Sequence, residues 1–404
     1  MKPSPAFRPA AIVTFVCLLV LLTACSEGPG NNVLDSKDPG NSGTSGKNNT
    51  HRWYIIEDGV LREHPGFAQA GAGGEPAEET RADELQTEEF LPWTVQERIA
   101  GFAEAGGDLY CAVNGAGVAV FEDVTGGGAF SADLRTVNNS FLFAGRTIGN
   151  IFTFNGTVYC HLYRNTLFDT APPEADPVSL VGLVPGEGRF RVTVLSFQDN
   201  HPDWEVVELI PDAEGPWHLG WKYSGEMKTD FRYSRLDPRT RQEREIDRET
   251  FRGCYRFNRT GRLPPPVAEL ADRYFSGADG PRFEGGPAVV HISVKSPGCT
   301  GVERYRLGDL EDLGSETDRI FRIPGFRRGD FWFFLLPGGE IFRAAAEDAG
   351  INTIKTIELP RLPDGFVYTH LWAGENSAAV SWEEQRFTEV GRAGMLVLPL
   401  FPLQ

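Results

Sequence analysis

The densest set of side chains capable of chemistry lies in residues 198–208, QDNHPDWEVVE, which contain Asp199, His201, Asp203 and Glu205. Two carboxylates flanking a scissile bond can serve as acid and base in glycoside cleavage, and a carboxylate beside an imidazole can hold a metal ion. The same letters also read as turn chemistry. Asn200-His201-Pro202-Asp203 favours a chain reversal, after which Glu205 opens an alternating strand. No HExxH, GxSxG or metal-spaced His/Cys set occurs in the chain, and its seven histidines are scattered singly. The leading expectation is therefore a turn, with no catalytic, cofactor-binding or metal residue. A glycan hydrolase built on Asp199, His201, Asp203 and Glu205 is the competing reading.

Trp204, Trp217 and Trp221 raise a second possibility, because exposed indoles stack on sugar rings or on a partner's side chains. Between packed sheets the same rings fill gaps, and that role is expected here. Residues 234–252, SRLDPRTRQEREIDRETFR, mix both charges at short spacing and read as a solvated loop or short helix, with partner docking as the minor alternative.

The elements that must position these groups are short strands. Residues 150–168, NIFTFNGTVYCHLYRNTLF, hold two alternating runs around Asn155-Gly156, a pair suited to a two-residue hairpin turn. Gly107-Asp108-Leu109-Tyr110-Cys111 matches Gly156-Thr157-Val158-Tyr159-Cys160 at a spacing of 49 residues. The same order of turn, apolar strand, tight connection and strand recurs from Gly215, Gly286, Gly329 and Asn376. Repeats of roughly 40–50 residues made of consecutive short strands are the signature of a β-propeller, since each small sheet buries both faces only by stacking between neighbours. The expected fold is all-β, a β-propeller of seven blades with six or eight left open. Residues 52–63, RWYIIEDGVLRE, would join the C-terminal strands in one four-stranded sheet and so close the ring.

The repeat bears on the cysteines. If Cys111 and Cys160 hold matching places in adjacent sheets, about 10 Å apart, they are too distant for a disulfide, which needs Cα atoms within about 7 Å. Both should be buried free thiols, leaving Cys254 with Cys299 as the pair to test.

Residues 10–24, AAIVTFVCLLVLLTA, carry no charge and follow Lys2 and Arg8, the layout of a secretory signal. The run is too short to span a bilayer as a helix, which takes roughly 20 apolar residues. At its end Leu22-Thr23-Ala24-Cys25 resembles the lipobox of bacterial lipoproteins. That resemblance implies removal of residues 1–24, a diacylglycerol on the Cys25 thiol and an acylated new amino terminus, so that two or three fatty chains hold the protein at a membrane. Residues 25–50 then form a flexible tether rich in Gly, Asn, Ser and Asp, and residues 51–404 form the folded body. Within the tether, GNSGTSGKNN fails as a phosphate loop because Asn41 and Asn48 stand where Gly and Ser or Thr are required.

The net charge of −17 disfavours nucleic acid as a partner. Residues 74–89, GEPAEETRADELQTEE, concentrate that acidity in what reads as a solvated insertion. In the closing unit, Ser381-Trp382-Glu383-Glu384-Gln385 and Val390-Gly391-Arg392-Ala393-Gly394 are similar to the C-terminal part of propeller-type lipoproteins of spirochaetes. The resemblance supplies architecture and compartment and no site residue. The resulting expectation is a non-enzymatic envelope binding or scaffolding protein. It would meet the membrane through lipidated Cys25, on the periplasmic face or in the outer membrane, with an envelope protein or a glycan as partner.

Overall fold

The computed structural model describes residues 51–67, 98–122, 124, 134–137, 143, 146–164, 180–184, 191–195, 201, 203–211, 216–223, 230–253, 256–257, 263–274, 282–283, 286–287, 289–297, 303–307, 320–345, 355–385 and 391–400. Cys25, the tether, the acidic insertion, Asp199, Cys254 and Cys299 lie outside them. Strands β1 (Arg52–Glu57) and β2 (Val60–His64) form the first hairpin. Three antiparallel meanders follow. The first comprises β3 (Ile99–Ala105), β4 (Asp108–Val113), β5 (Gly117–Phe121) and β6 (Leu134–Val137). The second comprises β7 (Arg146–Phe154), β8 (Thr157–Arg164), β9 (Leu180–Val184) and β10 (Arg191–Leu195). The third comprises β11 (Trp204–Ile210), β12 (Trp217–Tyr223), β13 (Phe231–Leu236) and β14 (Glu243–Ile246).

After helix α1 (Arg248–Gly253) come β15 (Arg256–Phe257), α2 (Pro265–Tyr274), β16 (Arg282–Phe283) and β17 (Gly286–Pro287). Next are β18 (Val289–Lys295), β19 (Glu303–Leu307), β20 (Ile320–Arg328), β21 (Phe331–Leu336), β22 (Glu340–Ala345) and β23 (Lys355–Glu358). These form a seven-stranded sheet in the order β15-β19-β18-β20-β21-β22-β23, in which β18 and β20 run parallel. The last strands are β24 (Phe366–Ala373), β25 (Ser377–Glu384) and β26 (Ala393–Pro399). The fold is all-β, as expected, and residues Asn49–Gln404 make one compact unit. Among the described residues no helix is long and apolar enough to cross a membrane.

Local chemistry sets the hairpins. Asp58 and Gly59 take φ of 50° and 73°, and Asn155 and Gly156 take 49° and 72°, the left-handed pair that a two-residue turn between twisted strands requires. Glu57 therefore pairs with Val60 and Phe154 with Thr157. The N-terminal hairpin does join the C-terminal strands: β1 pairs with β26 in a sheet ordered β2-β1-β26-β25-β24, five strands rather than the expected four. A Cβ on Gly394 would collide with the Tyr54 carbonyl and the Trp382 ring, so only glycine allows that pairing.

Among the described residues, the first two meanders each bury apolar side chains on both faces, and the third on one. Along β4, Leu109, Cys111 and Val113 join an apolar cluster with Trp372, Ala379 and Val397, which share one face of the five-stranded sheet. Tyr110 and Ala112 instead join Ile151, Val158 and Cys160 of the next meander, the two-residue alternation of a pleated strand. The layer beyond that holds Phe152 and Leu180 against Val206, Leu219 and Trp221. Phe326 and Phe333 of the seven-stranded sheet belong to the same cluster as Trp372, the Phe326 and Trp372 ring centroids lying 6.3 Å apart. Cys111 and Cys160 thus sit on second strands, each facing the preceding sheet, and both are free and fully buried, as the repeat required. Burial pushes both thiols up, Cys160 to about 12, so neither is a reactive thiolate at neutral pH.

Polar ties cross the same interfaces. The Thr153 hydroxyl donates to the Glu104 carbonyl at 2.8 Å, and the Ile148 N–H donates to Asn114 Oδ1 at 2.9 Å. The Glu104 carboxylate accepts from Trp372 Nε1 at 2.9 Å and from the Arg328 guanidinium, whose Nε donates to the Ala373 carbonyl at 2.7 Å. This buried ion pair links β3, β20 and β24, and cutting either partner would strand the other charge.

Candidate functional site

Four first strands share one irregularity. The register slips by a residue at Ile99–Gly101 in β3, Ile148–Asn150 in β7, Val206–Glu208 in β11 and Tyr368–Leu371 in β24. An extra residue on one strand bends it and re-aims the side chains beside it. The groups re-aimed here include Gly101, Asn150 and His370, and they meet the end of β18 at Lys295.

Lys295 Nζ donates to the Ile151 carbonyl at 3.1 Å and, more weakly, to Asn150 Oδ1 at 3.4 Å. Asn150 Nδ2 in turn reaches the Leu209 carbonyl at 3.4 Å, which ties β7 to β11. Both partners of the ammonium are neutral oxygens, and it makes no ion pair among the described residues. Burial, with a smaller push from Arg304, lowers its pKa from the usual 10.5 to about 8. Lys295 nevertheless keeps some solvent exposure, as does His370.

On the far side of Gly101 stands the His370 ring. A Cβ on Gly101 would lie 3.3 Å from Ile151 Cγ2, 3.4 Å from Lys295 Nζ and 3.9 Å from His370 Cδ2, and the φ of +146° there suits glycine. His370 Nδ1 lies 3.1 Å from both Thr369 Oγ1 and Ser381 Oγ, and Ser381 Oγ also accepts the His370 N–H at 2.9 Å. Burial first, then the charges of Lys295 and Arg98, drop the imidazole to about 3, so it is neutral. Glu383 is pushed up by burial and held back by Arg98. The arrangement is a half-buried, positively biased group of side chains with one neutral imidazole.

The set singled out from sequence is split. His201 Nε2 meets Glu243 Oε2 of β14 at 3.1 Å, and its ring stands edge-on to Trp221 with centroids 5.0 Å apart. Asp203 is exposed and Glu205 is buried on β11 opposite Lys222. Among the described residues no group of His, Cys, Asp or Glu is arranged to hold a metal. Trp217 and Trp221 are buried, the expected packing role, and Trp204 is half-buried with the Arg232 guanidinium between it and Trp221, 4.8 Å and 4.6 Å from the two ring centres. The charged stretch from Ser234 ends β13 and forms the exposed edge strand β14 and α1, with Asp237 accepting from the Arg239 and Thr240 N–H groups and Asp247 capping at Thr250.

Sequence reasoning missed Lys295, Asn150 and His370. Their one sequence signal is glycine interrupting a strand, at Gly101 and Gly149, which marks a bulge or a close approach.

A family model matches residues 43–254 and 325–401. The chain belongs to that family, DUF8086, a family of unknown function. Within the family match lie Gly101, Asn150 and His370, whereas Lys295 falls between the two matched segments. No curated protein matches the chain. Solved structures similar to it include a luciferin-regenerating enzyme, 6% identical over 75% of this chain and 93% of that one, at a TM-score of 0.36. Another is the polysaccharide lyase Uly1, 8% identical over 76% of this chain and 78% of that one, at 0.28. A third is prolyl oligopeptidase B from Galerina marginata, 11% identical over 70% of this chain and 30% of that one, at 0.27. Likenesses this loose carry no activity across to the DUF8086 chain.

Proposed function

We propose that this chain is a lipid-anchored, non-enzymatic binding protein of a bacterial envelope, with its sheets arranged as propeller blades and its ligand taken up where the first strands meet. The observation that carries the reading is the convergence of Gly101, Asn150, His370 and Lys295, from four strands in four sheets, on one half-buried point. Ligand pockets characteristically combine a few convergent polar groups with a rigid apolar frame. The ring arrangement is supported by the face-to-face order of the sheets and by the pairing of β1 with β26. In this reading the described strands supply six blades rather than seven, with the seven-stranded sheet divided at its parallel β18–β20 pair. Anchorage rests on Leu22-Thr23-Ala24-Cys25, and the compartment, periplasmic face or outer membrane, follows from it. No observation favours the glycan hydrolase, since His201 turns to Glu243 on the outer strand of its own sheet.

The test uses bacterial cells producing the tagged full chain with an alkyne fatty acid in the medium. Label and membrane fractionation are expected for the wild type, and neither for Cys25→Ser. Affinity capture from the same membranes should recover an envelope protein or glycan. Unlabelled wild type would refute the anchor, and turnover of a glycan by purified protein would reverse the choice between binding and catalysis.

A further inference from the structure

We infer that the half-buried group around Lys295 is a binding site for the carboxylate of a small monoanionic ligand, with the Lys295 ammonium as its principal partner. The inference rests on the binding reading above and names the ligand class. A charge removed from bulk water is ordinarily paired with an opposite charge or held by a full set of hydrogen bonds. Lys295 has neither: its partners among the described residues are the Ile151 carbonyl and the Asn150 amide oxygen, which leaves one of three N–H donors over. Beside it Gly101 withholds a side chain, so the approach to Nζ is not filled by a Cβ.

The surrounding charges set the sign and size of what fits. Facing Lys295 are His370 of β24, held neutral, Arg304 of β19 and the buried Cys160 thiol of β8. Arg98, just before β3, and Glu383 of β25 complete the charged groups around His370. Arg304 is already offset by Glu208 at 3.6 Å. Lys295 and Arg98 against Glu383 leave about one positive charge, which matches a single carboxylate and disfavours a dianion such as sulfate. A bound anion would draw the proton back onto Lys295, so binding takes up a proton at pH values where the free amine has begun to lose it. Affinity should be level below about pH 7 and fall about tenfold per unit once pH exceeds the Lys295 value of about 8.

Calorimetric titration of the full chain in detergent, with acetate, D-glucuronate, sulfate and uncharged glucose as probes, tests this at pH 6.5 and pH 9.5. The expected result is that both carboxylates bind at pH 6.5 and sulfate binds more weakly. Glucose should not bind, and carboxylate affinity should drop at least tenfold at pH 9.5. Lys295→Met should lose at least tenfold in carboxylate affinity at pH 6.5, and Arg98→Gln should lose less. If Lys295→Met does not fold, the wild type still decides: the NMR-observed pKa of Lys295 must rise on adding acetate. Absence of carboxylate binding at pH 6.5, sulfate preferred over carboxylate, a flat pH profile, or an unmoved Lys295 resonance would each overturn the assignment. A retained membrane anchor and captured partner alongside such a result would confine the failure to the ligand class, leaving the binding reading intact.

Discussion

Two regions of this protein offer polar chemistry, and they are built in opposite ways. The loop carrying His201, Asp203 and Glu205 gathers its groups along a few consecutive residues, yet folding disperses them: His201 to Glu243, Asp203 to solvent, Glu205 into β11. The group at Lys295 draws Gly101, Asn150, His370 and Lys295 from distant parts of the chain, the first three from bulged strands. Contiguity along a chain that alternates faces every residue separates side chains, whereas stacked sheets juxtapose residues remote in sequence.

The contrast can be broken most forcefully at Gly101. Gly101→Val puts a branched side chain at a φ of +146° against Ile151 and Lys295, and should cost about 3 kcal/mol in urea unfolding from backbone strain and overpacking. A loss under 1 kcal/mol would show that the packing around Gly101 yields more readily than its contact distances state.

Acid should weaken the protein next. His370 and the fully buried His161, lowered to about 3 and about 4, stay neutral in the folded chain while the unfolded chain gains protons below about pH 6.5. Stability present above pH 6.5 is therefore lost progressively as pH falls toward 4. Thermal unfolding across that range checks it, and His161→Gln should flatten part of the slope.

Lys295 carries the opposite experiment. Because its ammonium has only neutral partners, Lys295→Met should stabilise the protein by about 1 kcal/mol at pH 7 even after losing the bond to Ile151. The gain should shrink as pH rises from 8 toward 10.5, where the wild-type amine is neutral when folded and the penalty fades. Destabilisation at pH 7 would mark Lys295 as a strut.

The smallest effects belong to the loop. His201→Ala gives up one ion pair and an edge contact on Trp221, about 0.5 kcal/mol, and Asp203→Ala should stay within about 0.5 kcal/mol of zero. A larger loss at Asp203 than at Gly101 would invert the comparison.

What the sequence by itself determined is what neighbouring residues decide between them. Asp58-Gly59 and Asn155-Gly156 dictate hairpins because their backbones accept positive φ, and alternating apolar runs commit β4 and β8 to burial on both faces, which placed Cys111 and Cys160 as inert thiols. The joining of β1 to the C-terminal strands was legible too, though not that the sheet would hold five strands. Only the tertiary structure decided that β18 runs parallel to β20 and that bulges in β3, β7 and β24 turn Gly101, Asn150 and His370 toward Lys295. A turn is settled by the conformational freedom of two residues. A bulge depends on which strand lies opposite and at what register, and no short stretch of sequence contains that partner.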